Sequence, residues 1–250
     1  MTPDAITRAA ELLLSARVGG VPLPGLPAEL QPANAEEAYR IQDRVTEGLG
    51  PIGGWKTAPA KAGVKFNWAP IPAANCFDDG ATVPLSTFPG GALELEIGFV
   101  VTSPLPPRET PYSREEVEAA LGDMRVCLEL FGSRYADRAS RSAMEILADA
   151  QNAAGVVIGT GLSDWQNLDL GRTDLALEYA DQTHRTSGGR LLDELLEACT
   201  DLANGSTRLG GLAVGQVIIT GARVGPVPAT HSGQATGRID PVGTVSATLT

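Results

Sequence analysis

"LELEIGFVV" occupies residues 93–101, and its reading decides the fold. Apolar residues recur at every second position: Leu93, Leu95, Ile97, Phe99 and Val101. A period of two marks a β-strand, because successive side chains on a strand leave on opposite faces. The other face then carries Glu94 and Glu96, followed by Gly98 and Val100. Val100 predicts that this second face is at least partly covered. Two carboxylates side by side repel, and each raises the pKa of the other. The pair is therefore solvated, or something positive sits between its members.

A second alternating stretch, "VCLELF" (126–131), sets Leu128 and Leu130 on one face and Cys127, Glu129 and Phe131 on the other. Three strand-borne glutamates converge if the two strands pair or face each other. Three carboxylates with water suit a hard, octahedral cation such as Mg²⁺ or Mn²⁺. Zinc would call for His or Cys. On spacing alone the signal is weak, since Glu-x-Glu on a half-exposed strand is usually a solvated face.

Outward from these strands, the chain opens with two helices. Thr2-Pro3 offers an N-cap and a first-turn proline, and Ile6, Ala9, Ala10, Leu13 and Leu14 form an apolar stripe that Gly19-Gly20 ends. A second helix starts near Asn34, with Glu37 placed for a capping-box contact and Ala38, Ile41, Val45 and Leu49 as its stripe. "GGWKT" (53–57) reads as a short strand and 58–80 as mostly loop. Ser113 and Glu116 cap a helix carrying Val117, Ala120, Leu121 and Met124, and a further helix around 190–203 buries Leu191, Leu192, Leu195, Leu196, Cys199 and Leu202. "GVVIGT" (155–160), "VGQVIITG" (214–221) and "GTVSATL" (243–249) read as strands. Helices first and then strands with occasional helices predict an α+β fold with a mixed or antiparallel sheet core. The expected division is a helical region over 1–52 and a catalytic domain over 53–250.

Composition bounds the partners. With 19 Lys and Arg against 30 Asp and Glu, the net charge of −11 disfavours nucleic acid and anionic membrane surfaces. No apolar run approaches the roughly 18 residues of a membrane span. Cys76, Cys127 and Cys199 are odd in number and scattered, so they read as reduced thiols rather than a metal or disulfide framework. With no secretory leader in evidence, the expected location is the cytoplasm.

Five stretches in one order, "LELEIGFVV", "CLELFGSRYAD", "LADAQNAAGVVIG", "LAVGQVIITG" and "PVGTVSATL", resemble the fumarylacetoacetate hydrolase superfamily. The similarity runs over nearly the whole chain and is strongest to the branch of 2-keto-4-pentenoate hydratases and 4-oxalocrotonate decarboxylases. The resemblance implies a mixed β-sandwich or roll with a helical N-terminal region, a homo-oligomer of at least two chains, and a Mg²⁺ site, with Mn²⁺ as the alternative. Its metal ligands match Glu94, Glu96 and Glu129. Its acid–base lysine matches Lys56; a partly buried lysine of lowered pKa could carry the proton, and so could a bound water. Ser133, Arg134, Asp149 and Thr220 match positions around the substrate. The implied substrate is a small 2-oxo or enol carboxylate, and the first expectation is addition of water to a 2-hydroxy-2,4-dienoate, with the cation stabilising the enolate. A decarboxylase, a C–C bond hydrolase, a tautomerase or a silent metabolite-binding homologue are the alternatives.

Two departures from the family pattern stand out. Typical hydratases carry an acid after the lysine strand, whereas "WAPIPAANCF" (68–77) has none; Asp78 and Asp79 follow it. The stretch 183–190 also lacks the expected Asn-Pro. His184 and His231 read as surface residues, and Trp55, Trp68 and Trp165 as packing.

Overall fold

The computed structural model describes residues 1–59 and 67–250. Residues 60–66 of the expected loop lie outside the described residues. The helices are α1 (Pro3–Gly19), α2 (Ala35–Leu49), α3 (Arg114–Ala120), α4 (Ala143–Ala148) and α5 (Leu192–Gly205). The strands are β1 (Ile52–Thr57), β2 (Trp68–Pro72), β3 (Cys76–Asp78), β4 (Ala81–Val83), β5 (Ala92–Val101), β6 (Leu121–Phe131), β7 (Ala153–Leu162), β8 (Asp174–Tyr179), β9 (Gln182–Ser187), β10 (Val217–Ile219), β11 (Val224–Pro228), β12 (Gly233–Asp240) and β13 (Gly243–Leu249).

Local chemistry sets the helix ends. The Thr2 side chain accepts the Ala5 N–H, and Gly20 closes α1 in the left-handed conformation at φ 68°. Asn34 caps α2 through the Glu37 N–H, while the Glu37 carboxylate turns instead to the Ala33 N–H. The two helices pack with Leu26, Leu30, Tyr135, Leu147 and Ala148 into an apolar cluster of their own.

The strands form two sheets. The first runs β2-β1-β10-β5-β6-β7-β3, with β11 also paired to β5; the second runs β4-β13-β12-β8-β9. In the first sheet β1 pairs with β10 and β3 with β7 in parallel, and the remaining pairs are antiparallel. The fold is thus α+β with mixed, stacked sheets. Leu93, Leu95, Ile97 and Phe99 are fully buried in one core with Ala235, Ile239, Val245 and Ala247 of the second sheet. Each such side chain contributes roughly 1.5–3 kcal/mol. The sheets approach closely where Gly237 faces Leu95, since a Cβ there would come within 2.4 Å of the leucine Cδ1.

Several elements differ from the sequence reading. Helix α3 ends at Ala120 and β6 starts at the next residue, so Leu121 and Met124 are strand residues. Leu191 lies before α5 and is 53 % exposed. Inside the stretch read as loop, β2 pairs with β1 and places Pro70 opposite Trp55. Its two prolines are tolerated because, among the described residues, β2 ends its sheet and has no strand on its other side. The three tryptophans are buried, as the sequence reading expects. His231 is exposed, whereas His184 lies half-buried on β9.

Candidate metal centre

The face of β5 opposite the core is also an interior. Glu96 and Glu129 are fully buried and Glu94 is 8 % exposed. The alternation in "LELEIGFVV" therefore separates two buried faces, and the carboxylates are not solvated. Pairing of β5 with β6 sets Glu94 opposite Glu129 and Glu96 opposite Cys127. One carboxylate oxygen from each of the three glutamates lies within 4.8 Å of the others. Cys127, Val156, Val217 and Ile219 pack in a small apolar cluster on the neighbouring strands.

The positive charge comes from Lys56. It sits on β1, aligned with Ile219 of β10, which is aligned in turn with Gly98 of β5. Its Nζ lies 2.7 Å from Glu129 Oε1 and 3.9 Å from Glu94 Oε2, and donates to the Gln151 carbonyl at 3.4 Å. One ammonium thus faces three carboxylates. Burial pushes Glu94, Glu96 and Glu129 up to about 7, with Lys56 opposing the shift at each. Burial works to lower the lysine, but the charges of Glu129, Glu96 and Glu94 outweigh it and the net shift is upward.

Two oxygens of the trio, Glu96 Oε1 and Glu129 Oε2, are buried with no hydrogen-bond partner. An unsatisfied buried acceptor costs about 1–3 kcal/mol, and more when charged. Glu96 Oε2 is held by the Gly221 N–H at 2.6 Å. An all-oxygen set with surplus negative charge and orphaned acceptors fits a hard divalent cation. Glu94, Glu96 and Glu129 are the residues that could hold it.

The other residues of interest fall outside this group. Thr220 donates its hydroxyl to the Ile97 carbonyl at 2.8 Å, and the Thr-Gly turn reaches the trio through the Gly221 amide. Arg134 and Asp149 form a buried ion pair through Arg134 Nε. Asp149 also accepts the Arg134 N–H at 3.0 Å and Ser133 Oγ at 3.3 Å, and Arg134 Nη2 donates to the Asp149 carbonyl at 2.7 Å. This network anchors the turn Ala150–Asn152, whose residues take φ of 49°, 50° and 63°. Gln151, at its centre, supplies the carbonyl that Lys56 reaches. Asp78 and Asp79 are both exposed, and Asp79 is engaged by the Ser246 N–H at 2.7 Å, so neither stands in for a buried acid.

A cleft of about 250 Å³ is lined by Gly91, Phe131, Gly132, Ser133 and Arg138 among others. Phe131 shares a strand face with Glu129, two residues away, which puts this cleft beside the trio. Lys56 Nζ lies 5.2 Å from the centroid of the Phe131 ring and Arg138 Cζ lies 4.8 Å from it. The sequence reading misses Arg138, which sits in a short 3-10 turn after β6. A cavity of about 320 Å³ on the second sheet, lined by Glu178, Arg185 and Arg238 among others, is remote from the three glutamates in the fold and holds none of them.

No protein-family model matches the chain. It is 29% identical over 246 residues to a 2-keto-4-pentenoate hydratase of Paraburkholderia xenovorans, spanning 93% of this chain and 90% of the relative. Its fold is similar to that of a 4-oxalocrotonate decarboxylase of Pseudomonas putida solved with magnesium and adipate: TM-score 0.85, 22% identity, covering 100% of this chain and 99% of that one. A fumarylpyruvate hydrolase of Pseudomonas aeruginosa, solved with Mn²⁺ and pyruvate, is more distant, with a TM-score of 0.55 and 16% identity over 78% of this chain and 88% of that one. In sequence over nearly its whole length, and in its sheet architecture, the chain resembles the fumarylacetoacetate hydrolase superfamily.

Proposed function

We propose that the protein is a Mg²⁺-dependent lyase that adds water to a small 2-hydroxy-2,4-dienoate. The observation that carries this reading is the buried Glu94–Glu96–Glu129 trio with two orphaned oxygens and Lys56 aimed into it. The hydratase relative, aligned over 93% of the chain, supplies the substrate class. Bound at the trio, Mg²⁺ (or Mn²⁺) supplies Lewis-acid polarisation of a chelating carboxylate and 2-oxo group.

The protein's own groups divide the remaining work. The dienol must lose its 2-hydroxyl proton and gain one at the end of its carbon chain to become the conjugated enone. Water then adds its hydroxyl at the far alkene carbon and a proton beside the keto group. Lys56 Nζ, 2.7 Å from Glu129 Oε1, is the group placed to donate that proton. The Gly221 amide fixes the orientation of Glu96, and the Phe131 ring stands 5.2 Å from the lysine Nζ. Ser133 lines the cleft that receives the substrate. Arg134 and Asp149 act on it through the turn that carries Gln151, and Thr220 through the position of Gly221.

A decarboxylase on the same platform is the second reading. It is favoured by the exposure of Asp78 and Asp79, which leaves the 67–80 segment without a buried acid for hydration. A silent homologue would have no need of a lysine directed at the trio. Three free thiols fit a reducing compartment, and we place the protein in the cytoplasm. No helix among the described residues is long and apolar enough to cross a membrane. The resemblance carries the further expectation of a homo-oligomer.

The test is turnover of 2-hydroxypenta-2,4-dienoate with Mg²⁺, followed by dienol absorbance and product mass. Consumption abolished by EDTA, with a gain of one water, supports the hydratase. Loss of CO₂ from 4-oxalocrotonate with no reaction of the dienoate supports the decarboxylase. No turnover of either by the Mg²⁺-bound protein rejects both readings.

A further inference from the structure

On the side away from β6, strand β5 is covered by two short strands with a gap between them. β11 pairs with it from Ala92 to Leu95, and β10 from Gly98 to Val100. The turn 220–223 crosses the gap, opposite Glu96 and Ile97. Its ends are tied to β5 by the Thr220 N–H on the Ile97 carbonyl at 3.1 Å and the Arg223 N–H on the Leu95 carbonyl at 2.8 Å. Between these ties the Gly221 N–H donates to Glu96 Oε2 rather than to a strand carbonyl. The orientation of Glu96 therefore depends on how firmly this turn is held.

Two half-buried arginines hold it. Arg190 Nη1 donates to the Thr220 carbonyl at 3.2 Å. Arg223 Nη1 donates to the Gly188 carbonyl at 3.1 Å, and its Nη2 to the Arg190 carbonyl at 2.5 Å. Each guanidinium thus grips the segment that carries the other. Among the described residues neither forms an ion pair, and all three bonds go to backbone carbonyls. Burial and the charge of Arg190 push the Arg223 guanidinium down to about 10, as two adjacent cations require. Glycines make the grip possible. Gly188 and Gly189 take φ of 70° and 116°, where other residues are strained. A Cβ on Gly189 would stand 3.0 Å from Arg223 Nη1, and one on Gly221 would stand 2.1 Å from Arg190 Nη1. This Gly-Gly-Arg ends the stretch 183–190, where the chain lacks the Asn-Pro expected from its resemblance.

We propose that Arg190 and Arg223 are positioning residues for the cation site. By locking the segment 188–190 to the turn 220–223, they keep the Gly221 amide on Glu96 Oε2. That leaves Glu96 Oε1, which has no hydrogen-bond partner, free for the ion. The proposal rests on the reading of the glutamate trio as a cation site and adds what sets its affinity. Groups that orient a ligand without touching the ion are worth roughly ten- to a hundredfold in metal affinity.

The experiment is titration of the folded protein with Mn²⁺, read by electron paramagnetic resonance, beside urea unfolding of the same proteins in EDTA. Arg190→Met should weaken Mn²⁺ binding roughly tenfold. Arg190→Lys, which keeps a donor for the Thr220 carbonyl, should recover part of the loss. Arg223→Lys keeps the charge but not the fork that spans two carbonyls, so it should weaken Mn²⁺ as well. That variant carries the test if Arg190→Met does not fold. A merely structural pair would lower the urea midpoint and leave the folded protein's Mn²⁺ affinity within about twofold of wild type, which overturns the proposal. No Mn²⁺ binding by the folded wild type contradicts the underlying reading of the trio, and the proposal falls with it.

Discussion

Glu94 of β5 and Glu129 of β6 are register partners, directly opposite one another in a buried antiparallel pair. Like charges so placed destabilise a sheet. Lys56 offsets part of the repulsion and lies 2.7 Å from Glu129 and 3.9 Å from Glu94. What remains is a site whose metal-free form is held under electrostatic tension.

The tension predicts a trade between stability and function at Glu96. Its Oε1 is buried without a partner, while its Oε2 receives the Gly221 amide. Glu96→Gln keeps the shape and that acceptor and removes the buried charge. The metal-free variant should be more stable than the metal-free wild type by about 1–3 kcal/mol. At roughly 2–4 °C per kcal/mol for a chain of this size, melting in EDTA resolves the gain.

Lys56 should separate catalysis from metal binding. Lys56→Met removes the proton donor and leaves the three ligands in place, so turnover should fall by roughly 10²–10⁴-fold with Mg²⁺ still bound. Turnover within about twofold of wild type would remove Lys56 from the mechanism. Titration of Mg²⁺ beside the kinetic assay reads both properties.

The Arg134–Asp149 pair should matter for folding and, through Gln151, for the lysine. Asp149→Asn leaves a buried guanidinium without its counter-charge, a change worth about 3 kcal/mol or more. The turn at 150–152 holds three non-glycine residues at positive φ, each costing on the order of 1–3 kcal/mol, and this network keeps it in place. Urea unfolding should show the loss, and kcat should fall more than stability alone accounts for in the fraction still folded.

Asp43 gives the fold a pH dependence away from the site. Burial raises its pKa from 3.8 to about 6, against the attraction of Arg208 at 3.5 Å. The folded state therefore keeps a proton that the unfolded chain releases between about pH 4 and pH 6. Stability from this group falls as pH rises through that window, and the cost is complete above it. Asp43→Asn should melt higher than wild type at pH 8, and the gap should close by pH 4.

The legible part of this protein lay in side-chain periodicity. "LELEIGFVV" and "VCLELF" showed two faces each, and the resemblance of the ordered motifs joined Lys56 to three glutamates far from it in sequence. Periodicity could not show that both faces of β5 are buried, because a site interior and a solvated face bear the same polar residues. It misplaced the end of α3, since Val117, Ala120, Leu121 and Met124 keep helical spacing across the switch to β6. It passed over β9 and β12, whose Thr, Arg and Gly positions dilute the alternation, β2, whose prolines suit an edge, and β8, although Leu175, Leu177 and Tyr179 do alternate there. Gln151 meets Lys56 through a backbone carbonyl, which carries no sequence signature. Arg138 becomes visible only when the turn after β6 folds it over Phe131.

The central claim is that the three glutamates form one divalent-cation site, and electron paramagnetic resonance of Mn²⁺ tests it most directly. The account predicts one Mn²⁺ bound per chain, displaced by excess Mg²⁺, and no binding at the same concentrations in Glu96→Gln. Binding that survives unchanged in Glu96→Gln, or no binding in the folded wild type, would contradict it.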